Sequence, residues 1–163
     1  ADVLPVHMQA ADDRVNSPQP CLLEKRNEHP SLNGLPLEHP PGIGGYNRVK
    51  PKPDAEVLLS ARHFAVQVRL SDGVKDPGRD DRLGSEYTFT PGERAPLLVV
   101  GRHGLGRTAA FTSDVAPHWV GGRVDWGPER VRAQAPGASD IEVGSLYAEF
   151  FTRIIRWTMG GLP

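Results

Sequence analysis

PLLVVGRHGLGRTAAFTS, residues 96–113, is the stretch on which the fold reading turns. Two apolar, β-leaning runs flank Gly104-Leu105-Gly106, and glycine admits the positive φ that a tight reversal needs, so the stretch predicts a β-hairpin. Downstream, VAPHWVGGRVDWGPERV (115–131) sets Trp119 and Trp126 among glycines and prolines. It is too irregular for one element and too apolar for open solvent, which predicts a packed loop. Val143, Leu146, Tyr147, Phe150, Phe151, Ile154, Ile155 and Thr158 then recur every three or four residues, with Glu149, Arg153 and Arg156 on the other side. That is the period of an amphipathic helix, ended by Gly160-Gly161 and capped at its start by Ser145 or the Ser139-Asp140 pair.

Upstream of the hairpin, AEVLLS (55–60) predicts a buried strand, and FAVQVRL (64–70) alternates as a half-exposed strand does. Residues 71–93 are rich in Asp, Gly, Arg and Pro, broken by the β-leaning EYTFT (86–90), so 62–94 is expected to be an exposed excursion with one edge strand. Asp12–Pro41 is dense in Pro, Asn and Asp, with the Asn33-Gly34 pair, and each Pro biases its predecessor away from helix, so an irregular stretch is expected. Ala1–Val6 has no leading Met and runs straight into an apolar, strand-like segment, as in a chain truncated or processed at its start.

The 163 residues are 38% apolar and 24% charged, which suits one globular domain, 1–163, with a real core. Gly and Pro together make up about a fifth of the chain, so long, stiff loops are expected. A net charge of -1 supplies no electrostatic pull toward nucleic acid or an anionic membrane. A lone cysteine, Cys21, forms no internal disulfide, which favours a reducing compartment and hence the cytoplasm. No apolar run approaches the roughly 18 residues that span a bilayer. The six histidines include no i, i+4 pair of the helical zinc motif, so no metal and no cofactor is expected.

Several segments in combination resemble the glutamine amidotransferase-like family of bacterial cytoplasmic proteins, relatives of class I glutamine amidotransferases and of the trehalose-utilisation ThuA-like proteins. They are ADVLPV (1–6), DDRV (12–15), EHP (28–30) with NGLP (33–36), GYNRVKPK (45–52), PLLVVG (96–101) and GLGRTAAFTSD (104–114) running into APHW (116–119). The likeness spans most of 1–60 and 95–160 and omits 62–94, which is expected to be an insertion. It implies a flavodoxin-like α/β fold, a mostly parallel sheet flanked by helices, of which this chain would be the later, incomplete portion with its hairpin and C-terminal helix. It further implies that a nucleophilic cysteine would stand on an elbow in a segment preceding these residues. Cys21, in Gln19-Pro20-Cys21-Leu22-Leu23, has no glycine to permit such an elbow. A sheet that begins midway leaves an edge and a face uncovered, so a homo-oligomer or a companion chain carrying the missing part is expected.

Class I amidotransferases join a thiolate to a histidine and a carboxylate after a late strand. Here the strand RTAAFTS ends in Ser113-Asp114, where ThuA-like relatives have His-Asp with a Trp beyond; Asp114 and Trp119 are kept and Ser113 replaces the histidine. His118 follows four residues on, and Asp114 with His118 form the candidate catalytic pair. The alternative is that Asp114 caps a turn while His118 and Trp119 pack the loop. Tyr46, Asn47, Arg48 and Lys50, with Lys52 close behind, cluster cations and hydrogen-bonding groups after a glycine pair. Such a cluster suits an anionic small molecule, with Trp119 beside it, or else it is a solvated strand edge. Gly101–Arg107 could be taken for a phosphate cradle, but a β-branched run follows it instead of a helix, which favours the hairpin turn. The residues thus point to a non-catalytic amidotransferase-like protein that binds a small metabolite or a partner. The rival is an amide- or ester-cleaving hydrolase whose nucleophile lies outside these residues.

Overall fold

The computed structural model describes residues 3–8, 13–71, 84–115, 118–133, 137 and 139–162. In chain order the strands are β1 (Val6–Met8), β2 (Arg14–Lys25), β3 (Gly42–Asn47), β4 (Val49–Pro51), β5 (Glu56–Ser71), β6 (Gly84–His103), β7 (Gly106–Phe111), β8 (Arg130–Ala133) and β9 (Ile141–Gly144). One helix, α1 (Ser145–Thr158), follows the last of them. Five strands form a sheet in the order β3-β2-β5-β6-β7, while β1 pairs with β4 and β8 with β9. Every pairing is antiparallel.

This overturns the expected flavodoxin-like, mostly parallel sheet flanked by helices. Parallel neighbours need a crossover of a dozen or more residues, usually helical. Among the described residues no α-helix lies between two strands, and β6 turns into β7 through Gly104-Leu105 alone. The hairpin read from residues 96–113 and the C-terminal helix both stand. Gly104 takes φ +57, the positive φ at the first central position that a two-residue II′ turn demands.

The sheet is buried on both sides at its centre, which is why Leu97–Val100 reads as a continuous apolar run. Leu98 and Val100 join the main core with Leu23, Ile43, Leu58 and, from α1, Tyr147, Phe150, Ile154 and Trp157. Val99 points the other way and packs with Val6 and Val49 beneath the β1–β4 ribbon. Burying a side chain of this size is worth roughly 1.5–3 kcal/mol, so each covering layer matters to the fold.

Two local expectations are corrected. The irregular stretch 12–41 contains β2, twelve residues long. Its pairing with β3 slips between Asn16 and Cys21, the interval that contains Pro18 and Pro20, so their missing N–H groups break no ladder bond there. Helix α1 is capped neither by Ser145 nor by Ser139-Asp140; its N-cap is Gly144, with no side-chain cap. The Trp126 carbonyl instead accepts the N–H groups of Leu146 and Tyr147, and that of Glu129 accepts Ser145 N–H. A Cβ on Gly144 would collide with the Trp126 carbonyl, so glycine is what lets the Trp loop cap the helix. At the other end Gly160 N–H reaches the Trp157 carbonyl and Gly161 N–H the Arg156 carbonyl, a Schellman motif with Gly160 at φ +79.

Within 62–94 the described residues form a two-stranded ribbon: Phe64–Ser71 of β5 pairs with Gly84–Pro91 of β6, beyond the last contacts with β2 and β7. Among the described residues no helix is long and apolar enough to cross a membrane.

Candidate functional site

Beyond β7 the chain turns across the end of β3. Asn47 donates its backbone N–H to the Thr112 carbonyl at 2.8 Å, and the Ser113 hydroxyl donates to the Gly45 carbonyl at 2.9 Å. Gly44 N–H closes on the Trp119 carbonyl at 2.9 Å. Thr112, Ser113 and Trp119 are thereby tied to β3, and Asp114 bonds the chain beyond it. One Asp114 carboxylate oxygen accepts His118 N–H at 2.9 Å, and both accept Trp119 N–H at 3.0 Å.

Trp119 lies over Gly45, whose missing side chain makes the room. Its indole N–H donates to Asn16 Oδ1 on β2 at 2.7 Å. Together these residues wall an open cleft of ≈ 470 Å³ lined by Asp13, Arg14, Asn16, Asn47, Asp114, His118 and Trp119. His118 projects into solvent at its rim, with Nδ1 4.0 Å from Asp114 Oδ2.

Under the cleft sits a buried arginine. Arg123 Nη2 donates to the Asp114 carbonyl at 2.7 Å, and its guanidinium lies over the rings of Phe111, Tyr147, Phe150 and Phe151. Burial pulls its pKa down to about 10, so it stays a cation at neutral pH. Arg123 Nε and Nη1 have no hydrogen-bond partner among the described residues; ring faces take the place of acceptors. Tyr147 completes the floor by donating its hydroxyl to the Val115 carbonyl.

Of the residues singled out from the sequence, the fold brings Asn47, Asp114, His118 and Trp119 to one cleft. It sends Tyr46, Arg48 and Lys50 elsewhere. Tyr46 is buried on the core side of the sheet with its hydroxyl 2.9 Å from His63 Nε2, and burial, then Glu93, pushes its pKa up to about 12. Lys50 is exposed on β4 opposite His7, and Arg48 is exposed between β3 and β4 outside the cleft lining. Alternation along β3 and into the turn explains the split, since neighbouring residues face opposite ways. Asp13, Arg14 and Asn16 are not among the candidate site residues. Asp13 and Arg14 fall in the DDRV segment that carries the family resemblance, and Asn16 stands only in a short polar–apolar alternation, Arg14-Val15-Asn16; neither connects Asn16 to an indole 103 residues away.

Cys21 is fully buried, with Sγ 3.7 Å from the Ile43 carbonyl that accepts from it. Burial raises its pKa, which favours the protonated thiol, and Cys21 does not line the cleft. Among the described residues no group of three or more His, Cys, Asp or Glu could hold a metal. A second cleft, of ≈ 430 Å³, includes His29, Glu56, Arg107 and Trp157 in its lining.

Two solved structures share the architecture, each with 96% of this chain covering 44% of theirs. "Cytoplasmic Protein STM3548 from Salmonella typhimurium" is 26% identical with a TM-score of 0.60. "Cytoplasmic Protein STM1381 from Salmonella typhimurium LT2" is 24% identical with a TM-score of 0.59. This chain therefore spans less than half the length of those proteins. No curated protein matches it. The narrower likeness to ThuA-like proteins finds no support in these matches. Residues 1–69 and 83–129 do match the family model described as "Putative glutamine amidotransferase", most of the chain, and to that GATase1-like family this protein belongs.

Proposed function

We propose that this part of the protein binds a small polar metabolite in the Trp119 cleft without itself cleaving an amide. The observation that carries the reading is the use made of Asp114: both carboxylate oxygens are engaged by backbone N–H groups of the loop they hold. A carboxylate spent on a turn positions a wall and is poorly placed to orient a base. The wall presents an indole edge, the amides of Asn16 and Asn47, and the charges of Arg14 and Asp13, a set suited to a ligand carrying carboxylate and amide groups. Calorimetric titration of L-glutamine into the full-length protein tests this. Binding that weakens on Trp119→Ala and Asn47→Ala, with no ammonia released, is expected; no binding, or a Kd untouched by both substitutions, removes the cleft from consideration.

A second reading is favoured by His118, whose ring stands at the rim beside Asp114. In it a nucleophile from a part of the protein outside residues 1–163 completes an amide- or ester-cleaving site, with His118 as base. Glutamine hydrolysis by the full-length protein that is lost in His118→Ala would decide for it. The two relatives titled cytoplasmic proteins, and the lone buried thiol, support a cytoplasmic setting. Assembly with further copies or with a companion chain belongs to the same proposal.

A further inference from the structure

The ribbon built from the ends of β5 and β6 has two unlike faces. Its register pairs Phe64 with Pro91, Val66 with Phe89, Val68 with Tyr87 and Leu70 with Ser85. Directly opposed residues in an antiparallel pair share a face, so these eight lie on one side. The other side carries Ala65 with Thr90, Gln67 with Thr88 and Arg69 with Glu86. The apolar side is open to solvent: Val68, Leu70, Tyr87 and Phe89 are 54%, 66%, 56% and 60% exposed. Strict alternation is the pattern of a strand with one buried face, yet among the described residues nothing buries this one.

We propose that this face is a self-association surface, and that its occupant is the same face of a second copy of the chain. Three observations select that occupant. The first is area. Four large apolar side chains, each more than half exposed, offer on the order of 100 Å² apiece. Two copies meeting face to face then remove roughly 800 Å² before Phe64, Val66 and Pro91 are added, which brings the total to the roughly 1,000 Å² of a specific interface. The second is shape. The aromatic side chains Tyr87 and Phe89 stand on β6 and the smaller Val66 and Val68 stand opposite them on β5. A two-fold axis running along the ribbon lays β6 of one copy over β5 of the other, so that each ring faces a valine, as a self-complementary interface requires. The third is the ribbon's own instability. A two-stranded ribbon is marginal in water, and stacking two of them makes a small sandwich with a shared dry layer. Pairing through the strand edges would leave the apolar side chains in water, so face stacking is the arrangement that answers the pattern. The family match includes residues 1–69 and resumes at 83, so Phe64–Arg69 and Gly84–Pro91 of the ribbon fall within the matched region and Leu70 lies just outside it.

The proposal makes no use of the cleft ligand; it rests on the reading of assembly with further copies, and its failure would leave the metabolite reading standing. Sedimentation and native mass spectrometry of the full-length protein at micromolar concentration are expected to give a dimer or a multiple of it. Tyr87→Lys and Phe89→Lys, each removing an anchor of the face, should each loosen association roughly 30-fold or more. Gln67→Lys and Thr88→Lys, on the polar side, should leave it unchanged. Because all four side chains are exposed in the single chain, circular dichroism should show the same folded spectrum for every variant. A monomeric full-length protein would overturn the proposal and assign the face to another segment of the same polypeptide or to a different partner. An assembly indifferent to Tyr87→Lys and Phe89→Lys would overturn it as well.

Discussion

Gly45→Ala should disturb both the fold and the cleft, because this glycine is where β3 and Trp119 meet. A Cβ at Gly45 would stand 2.5 Å from the Val15 carbonyl oxygen, 2.6 Å from Trp119 Nε1 and 2.7 Å from Trp119 Cδ1. The φ there is not in the left-handed region, so the cost arises from crowding and not from backbone strain. Crowding a packed site costs about 1–3 kcal/mol. Displacing the indole also breaks its bond to Asn16, worth about 0.5–1.5 kcal/mol. Against this, alanine gains about 0.5–1 kcal/mol over glycine in a strand. The net is a loss of about 0.5–4 kcal/mol, and a central loss of about 2 kcal/mol corresponds to roughly 4–8 °C in Tm for a chain of this size. Thermal melting followed by circular dichroism measures it, with Gly122→Ala as the control, since a Cβ at Gly122 meets nothing within 4 Å. Repeating Gly45→Ala in a Trp119→Leu background should recover at least about 0.5 kcal/mol, because the shared contact is already gone. A Gly45→Ala protein that melts with the wild type, or one whose loss is the same in both backgrounds, would refute the claim that the glycine exists to seat the indole.

Further expectations follow from the same contacts. Asp114→Ala should cost about 2 kcal/mol in urea denaturation through lost charge-assisted bonds to His118 and Trp119 N–H, and Asp114→Asn, which keeps one acceptor, about half as much. Arg123→Ala should cost about 3–5 kcal/mol, while Arg123→Met, which refills the aromatic box but leaves the Asp114 carbonyl unpaired, should cost less than half of that. Burial lowers the pKa of His29, with Arg107 adding to the shift and Glu56 opposing it. The unfolded chain therefore binds a proton that the folded ring refuses, so stability is full above about pH 6.5 and falls as the pH drops below it; His29→Gln should flatten that slope in urea midpoints taken from pH 5 to 8. For Glu24, the hydrogen bonds from Arg94 lower the pKa, so its contribution is present above the ordinary carboxylate value and lost as the pH falls through the folded one. The difference in urea midpoint between wild type and Glu24→Gln should accordingly vanish in acid.

Local chemistry accounts for what was legible without coordinates. The two-residue reversal at Gly104-Leu105, the β character of 55–60 and 64–70 and the apolar stripe of α1 depend on contacts a few residues apart, and glycine φ, side-chain alternation and the 3.6-residue period report those directly. That the two expected strands are one, β5, which passes through 62–63 with shifts of register against β6, they do not report. Strand direction does not follow from a strand's own residues. The resemblance brought a parallel sheet with it, and the described chain has no crossover helix with which to build one. The prolines around β2 hid a long strand because their tolerance depends on where the partner strand slips register. Ser145 and the Ser139-Asp140 pair offer side-chain oxygens for the helix cap, whereas the acceptors are the backbone carbonyls of Trp126 and Glu129.

The cleft divides along the same line. Asp114, His118 and Trp119 lie within six residues of one another, and the sequence by itself determined that they would share a loop, since a short segment cannot separate them. Which of Tyr46, Asn47, Arg48 and Lys50 would join them was decided by the tertiary structure alone, because a strand's pleat sends neighbours to opposite faces and only the packed sheet says which face meets the loop. Asn16 reaches Trp119 for the same reason: sheet pairing joins β2 to β3, and the loop is laced across both, which no spacing along the chain encodes.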